Sequence, residues 1–234
     1  MSQTISIIIA LAIAIILHEL AHGAVAARLG DNTARYLGRL TLNPFKHIDP
    51  TGSVVVPLIL AVGQILTIGR VAFMYGWAKP VPVNPASLRI GQYRNGRRLM
   101  AIVALAGPMM NFLLAVLGGL AVHIADAMQS MSLLVFLVYF IQINLLLGFF
   151  NLIPLLPMDG GRVVMGILPL PLANIMGQLE KIGIFAVLLV LFILPLIMQH
   201  MGFDFDPFSS AVGYMLPKAQ NMILLLTGNS IGNG

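Results

Sequence analysis

Residues 4–29 read TISIIIALAIAIILHELAHGAVAARL. The first half of this stretch is almost wholly apolar, and the whole exceeds the roughly 20 residues that one helical membrane crossing needs. His18, Glu19 and His22 interrupt it. Ionisable groups inside a bilayer are costly, so they point to function. The rest of the chain agrees with a membrane reading. Of its 234 residues 59% are hydrophobic and 9% are charged, against about 25% charged in an average soluble domain, and the mean hydropathy is +0.94. The reading is an integral, polytopic, all-α membrane protein. The first apolar run lacks a basic lead and passes straight into HELAH, so it is not expected to be a removable signal peptide.

Cysteine is absent, which excludes a disulfide framework and thiolate ligands. Any metal must be held by His, Asp or Glu. The formal charge of +5 comes from connecting segments. It reads as topology and contact with anionic lipid, not as a nucleic-acid surface.

Three segments, about 4–29, 98–124 and 132–152, read as a core of membrane helices. Between the first two lies a connecting region, about 34–80, expected to be re-entrant with a β-hairpin. Within it YLGRLTL (36–42) alternates like a strand, and 52–68 is apolar but short, with Pro57 and Gly63. Further helices are expected over about 172–198 and 211–227. The whole, residues 1–234, reads as one membrane-embedded domain with its core over about 4–165.

Charge constrains the path. Arg28, Arg35, Arg39 and Lys46 follow the first segment, and Arg70, Lys79, Arg89, Arg94, Arg97 and Arg98 follow residues 52–68. The positive-inside rule places both groups in the cytoplasm. That requires 52–68 to dip in and return on one side, a path tolerated only where protein or water covers the backbone.

His18 and His22 are spaced i, i+4, which stacks them on one helix face within reach of a single ion. Glu19 lies about 100° round from His18 on a 3.6-residue helix, near enough to act on a water held there. This is the H-E-x-x-H pattern of zinc hydrolases. The bland alternative, three polar groups satisfied by neighbouring helices, is disfavoured by the cost of burying charge in lipid. A catalytic zinc site takes three protein ligands. The candidates for the third are His47, Asp49, His123, Asp126, Asp159, Glu180, His200, Asp204 and Asp206. Asp159 is the strongest, because it ends an apolar segment inside PLLPMDGGR, though a turn aspartate is an ordinary alternative. It meets the histidines only if the first and third core helices run in the same direction, which again forbids a simple crossing by 52–68.

These motifs resemble the site-2 protease family of intramembrane zinc metalloproteases, peptidase family M50, in a compact form. HELAH (18–22) is similar to its first metal motif. NLIPLLPMDGGR (151–162) is similar to its second, with Met158 in the place usually held by Leu. AGPMMN (106–111) is similar to a third signature. LTLNPFKHIDPTG and GWAKPVPVNP resemble segments of short bacterial members. The resemblance covers roughly residues 10–200. It implies His18, His22 and Asp159 as ligands of one Zn²⁺ per chain, with Glu19 as general base. It also implies a site inside a bacterial or archaeal plasma membrane, nearer the cytoplasm, acting on transmembrane protein substrates. No PDZ or CBS domain is visible, so regulation by such modules is not carried over.

Asn111 and Asn151 are expected to bind substrate backbone or the oxyanion, with inter-helix hydrogen bonding as the alternative. Local unwinding of a helical substrate calls for β-strand addition, for which YLGRLTL or the re-entrant segment offers an edge. Trp77 and Tyr75 read as interface anchors. His47 and Asp49 read as loop residues. The competing functions are a membrane transporter and a non-catalytic metal-binding protein. A transporter should show paired helical repeats, and none is visible.

Overall fold

The computed structural model describes residues 2–229 apart from 71–75, 94, 190–193 and 203–206, with the backbone alone at 67, 68 and several positions between 179 and 209. Helices α1 (Gln3–Arg28), α4 (Gly96–Ala127) and α5 (Met131–Asn151) are each long and apolar enough to cross a membrane, with mean hydropathies of 2.3, 2.1 and 2.4. They fall on the three expected core segments. Local chemistry sets their starts. The side chains of Ser2, Asn95 and Ser130 accept hydrogen bonds from the N–H groups of Ile5, Arg98 and Leu133, satisfying N-terminal donors that a helix leaves unpaired.

The packing order gives the directions. His22 meets Val103, His18 meets Asn111, and Ala10 packs with Leu114 and Phe140. As numbers fall along α1 they rise along α4, so these two helices are antiparallel. Asn111 meets Asn144 above Phe140, so α5 runs parallel to α1. The C-terminal ends of α1 and α5 and the N-terminal end of α4 therefore share one end of the bundle.

The connector from 29 to 95 leaves and returns at that end. Arg89 N–H donates to Leu29 O at 2.7 Å, and Ala26, Leu88, Leu99 and Val103 form one buried cluster. Buried Asp31 fastens the junction, accepting from Thr33 N–H and Oγ1 and from Asn84 N–H. Short helix α2 (Thr33–Tyr36) follows Asp31. A π-helical turn (Pro50–Val55) leads into α3 (Val56–Ile68). The apolar helical run Pro50–Leu66 is shorter than a membrane span, and Leu58, Ile59 and Leu66 are exposed. The connector thus makes no net crossing, as the charge pattern required.

The expected β-hairpin is not there: no strand occurs among the described residues, only an isolated bridge between Ile90 and Tyr93. Tyr36 closes α2, and Gly38 turns the chain at φ 61°. Leu37 and Leu42 both face outward, while Arg39 is buried. The alternation in YLGRLTL was one of residue type, with no paired strand to exploit it.

After α5, a turn containing a cis Leu156–Pro157 bond leads to α6 (Asp159–Ile167). Helices α7 (Leu170–Leu188), α8 (Leu194–His200) and α9 (Pro207–Leu226) complete the chain. Pro217 does not interrupt α9. Ala219 and Ile223 of α9 enter the core with Ala115, Val122, Ile141 and Leu145. At the far end His123 Nε2 donates to Thr227 O at 2.7 Å and Asn229 Nδ2 to Gly119 O at 2.8 Å.

Candidate metal centre

The i, i+4 spacing sets the His18 and His22 rings on one face of α1, and α6 brings Asp159 to them. His18 Nε2 and His22 Nε2 lie 3.0 Å apart, and Asp159 Oδ2 lies 3.1 and 3.2 Å from them. A tetrahedral zinc with bonds of about 2.0–2.1 Å holds its ligand atoms about 3.3 Å apart. The donor set therefore fits in size, and imidazole with carboxylate suits zinc in kind. All three residues are buried. They form the one such His/Cys/Asp/Glu group among the described residues.

The remaining ring nitrogens are occupied. His22 Nδ1 donates to Val103 O at 2.7 Å, and His18 Nδ1 lies 2.5 Å from Asn111 Oδ1. Second partners of this sort fix ring orientation at metal sites.

Two sequence features acquire reasons here. A Cβ on Gly107 would collide with His22 Nε2 and lie 2.5 Å from His18 Nε2, so the imidazoles stand directly against the α4 backbone. A Cβ on Gly161 would lie 2.7 Å from the backbone of Leu155 and Leu156, and one on Gly160 would strike Leu152 O. The pair of glycines lets α6 begin against the preceding turn, which delivers Asp159. The N-terminal position of Asp159 on α6 favours a negative charge on its carboxyl.

Glu19 is not part of the triad. Its Oε2 accepts from Val81 N–H at 2.8 Å. His18, Glu19, His22 and Asp159 all line a cavity of about 510 Å³, together with Asn151, Arg162 and parts of the stretch 76–83. That stretch is itself secured. Trp77 N–H donates to Gly52 O and Lys79 N–H to His47 O, and Arg39 Nη2 donates to Lys79 O. Trp77, Lys79 and Val81 thus spend their N–H groups on the protein, and Pro80 and Pro82 have none. Little of a donor edge remains for strand addition at this place.

The other expected residues distribute as follows. Asn111 is fully buried, and its carboxamide contacts His18, Ala14 O and Asn144. These are contacts between helices, the alternative named for it, and Asn111 is not among the residues that line the cavity. An unpaired buried amide would cost about 1–3 kcal/mol, so the network completes it. Asn151 does line the cavity, and its Nδ2 donates to Leu147 O. Trp77 packs over Gly52 and lines the cavity. Tyr75, Asp204 and Asp206 lie outside the described residues, as do the side chains of Glu180 and His200. His47 and Asp49 are loop residues: His47 Nε2 donates to Thr41 O, and Asp49 Oδ1 accepts from Gly52 N–H. Asn144, Arg162 and the Val81 N–H had not been singled out. Asn144 carried a signal, as a polar residue inside an apolar helix.

A helical membrane bundle with such a centre defines a class, the membrane metallohydrolases. Comparison with known proteins narrows it. The model of peptidase family M50 matches residues 117–195. Over 198 residues the chain is 39% identical to "Putative zinc metalloprotease YwhC" of Bacillus subtilis, covering 81% of each protein. It is 34% identical over 101 residues to "Putative zinc metalloprotease Rip2" of Mycolicibacterium smegmatis, covering 43% of this chain and 33% of that protein. No solved structure matches. The chain belongs to peptidase family M50, the site-2 protease family of zinc metalloproteases. Its zinc requirement accords with the donor set just described, and the transporter alternative is set aside.

Proposed function

We propose that this metalloprotease is an intramembrane endopeptidase that cuts peptide bonds within or beside transmembrane segments of membrane proteins. In this reading His18, His22 and Asp159 hold the zinc and Glu19 is the general base. The observation that carries it is the convergence of three buried donor atoms, 3.0–3.2 Å apart, on a cavity that Glu19 also lines.

When bound, zinc lowers the pKa of a coordinated water towards about 7 and polarises a carbonyl. The chain supplies the rest. Glu19 accepts the proton of the attacking water on its carboxylate and passes it to the leaving amine. The bond to Val81 N–H aims that carboxylate. Asn151 offers a carboxamide to the substrate backbone or the developing oxyanion. The walls around the triad, among them Val103, Ala104, Leu147 and Phe150, admit an apolar unwound segment.

The side of the membrane follows from charge. Of the 13 basic residues, ten lie between positions 28 and 98, a stretch whose two junctions with α1 and α4 meet at the bundle end that carries the triad. The turn between α4 and α5 has none. By the positive-inside rule this charge bias supports a site facing the cytoplasm, in this reading that of a bacterial or archaeal cell. Residues 1–234 act as one domain in this reading, supported by the seating of α9 in the α4–α5 core.

The test is cleavage of a transmembrane reporter peptide in detergent by wild type, Glu19→Gln and Asp159→Asn. Both variants should lose activity. Cleavage at the wild-type rate by either one removes that residue from the proposed machinery.

A further inference from the structure

Behind the metal centre, on the side away from the cavity, lies a buried polar chain for which the proposed reaction has no direct use. It runs through the carboxamides of Asn111 on α4 and Asn144 on α5, each fully buried. We infer that Asn111 and Asn144 are positioning residues that dictate the tautomer of His18, and so tune zinc affinity from a neighbouring helix. The inference rests on the reading of His18 as a ligand.

The direction of each hydrogen bond follows from its far end. Phe140 O is a backbone carbonyl and can only accept. Asn144 Nδ2 donates to it at 2.8 Å, which turns Asn144 Oδ1 towards Asn111. Asn111 Nδ2 donates to that oxygen at 3.0 Å, and lies 3.4 Å from a second obligate acceptor, Ala14 O. Asn111 Oδ1 is thereby left facing His18 Nδ1 at 2.5 Å. An amide oxygen cannot donate, so His18 Nδ1 must carry the proton. The lone pair is then on Nε2, the atom that points at His22 and Asp159. A peptide carbonyl on α5 thus fixes the state of a ring on α1 through two reversible-looking amides, neither of which is free to flip. His22 needs no such relay, because Val103 O sets its tautomer directly.

Outer partners of metal-bound histidine typically change affinity 10- to 100-fold when removed. The experiment measures zinc affinity of the purified full chain by competition with a chelator, and the visible spectrum of the cobalt-substituted protein. The variants are Asn111→Leu, Asn111→Asp, Asn144→Leu, the Leu/Leu double variant and His18→Ala. Asn111→Leu should weaken zinc binding about 10- to 100-fold and shift the cobalt bands. Asn111→Asp, with its second oxygen protonated and donating to Asn144 Oδ1, keeps an acceptor for His18 Nδ1–H and should recover most of that loss. Asn144→Leu should cost less than Asn111→Leu, and the double variant no more than Asn111→Leu alone. Wild-type affinity in Asn111→Leu overturns the inference, as does equal loss in Asn111→Asp and Asn111→Leu. If His18→Ala itself keeps full affinity, the ligand reading is what has failed.

Discussion

The backbone N–H of Val81 is bonded to the carboxylate of Glu19 at 2.8 Å, although 62 residues separate them in the chain. A side chain on the first core helix is held by the main chain of the returning connector. The proposed general base is therefore aimed by a group that carries no side chain.

Val81→Pro removes the N–H but also replaces a buried side chain, so Val81→Ala, which keeps the N–H, is its control and should cut faster than Val81→Pro. A hydrogen bond to a charged group is worth about 1.5–3 kcal/mol, so reporter cleavage by Val81→Pro should fall at least about tenfold. Zinc content should stay unchanged. Wild-type kcat/KM in this variant would show that the contact does not orient the base.

Glu19→Gln should separate chemistry from metal binding. Glu19 stands outside the triad, so the variant is expected to hold zinc at the wild-type level. Its cleavage rate should fall by about 10²–10⁴, the usual contribution of a positioned acid–base group. Metal analysis alongside the reporter assay checks both halves.

Gly107→Ala should damage the centre from the opposite wall. The added methyl meets the His18 and His22 rings, so zinc per chain should drop clearly below that of wild type. Gly213→Ala is the control, since nothing lies within 4 Å of a Cβ there, and it should retain zinc. Equal zinc in both variants would mean that the rings retreat at no cost.

The path of the connector can be read by labelling, since the chain has no cysteine of its own. Single cysteines at the exposed positions Tyr36 and Tyr93 should react from one face of the membrane. One at Met128, in the turn between α4 and α5, should react from the other. Labelling of Tyr36→Cys and Tyr93→Cys from opposite faces would mean that residues 52–68 cross.

Much of this arrangement could be read before any coordinates. Three long apolar runs announce membrane helices because lipid demands continuous apolar length. The His18–Glu19–His22 spacing encodes a helix face directly, and the need for a third donor pointed to Asp159. What escaped had no local signature. The Val81 N–H is a backbone group, identical in sequence terms to any other. Asn111 stood out as polar in lipid, but nothing in its neighbourhood says whether it faces substrate or a histidine ring; Asn144 decides that, from another helix. YLGRLTL misled because alternation is visible in one segment, while a strand needs a partner.

Asp159 follows His22 by 137 residues, and α4 and α5 both lie between them. During synthesis, the ribosome delivers the base and two of the three proposed ligands first. The fragment that ends before α6 holds a lone imidazole pair with no carboxylate to complete it. The ability to cut is thus deferred until the bundle has closed, so a half-made chain poses no hazard to its neighbours in the bilayer.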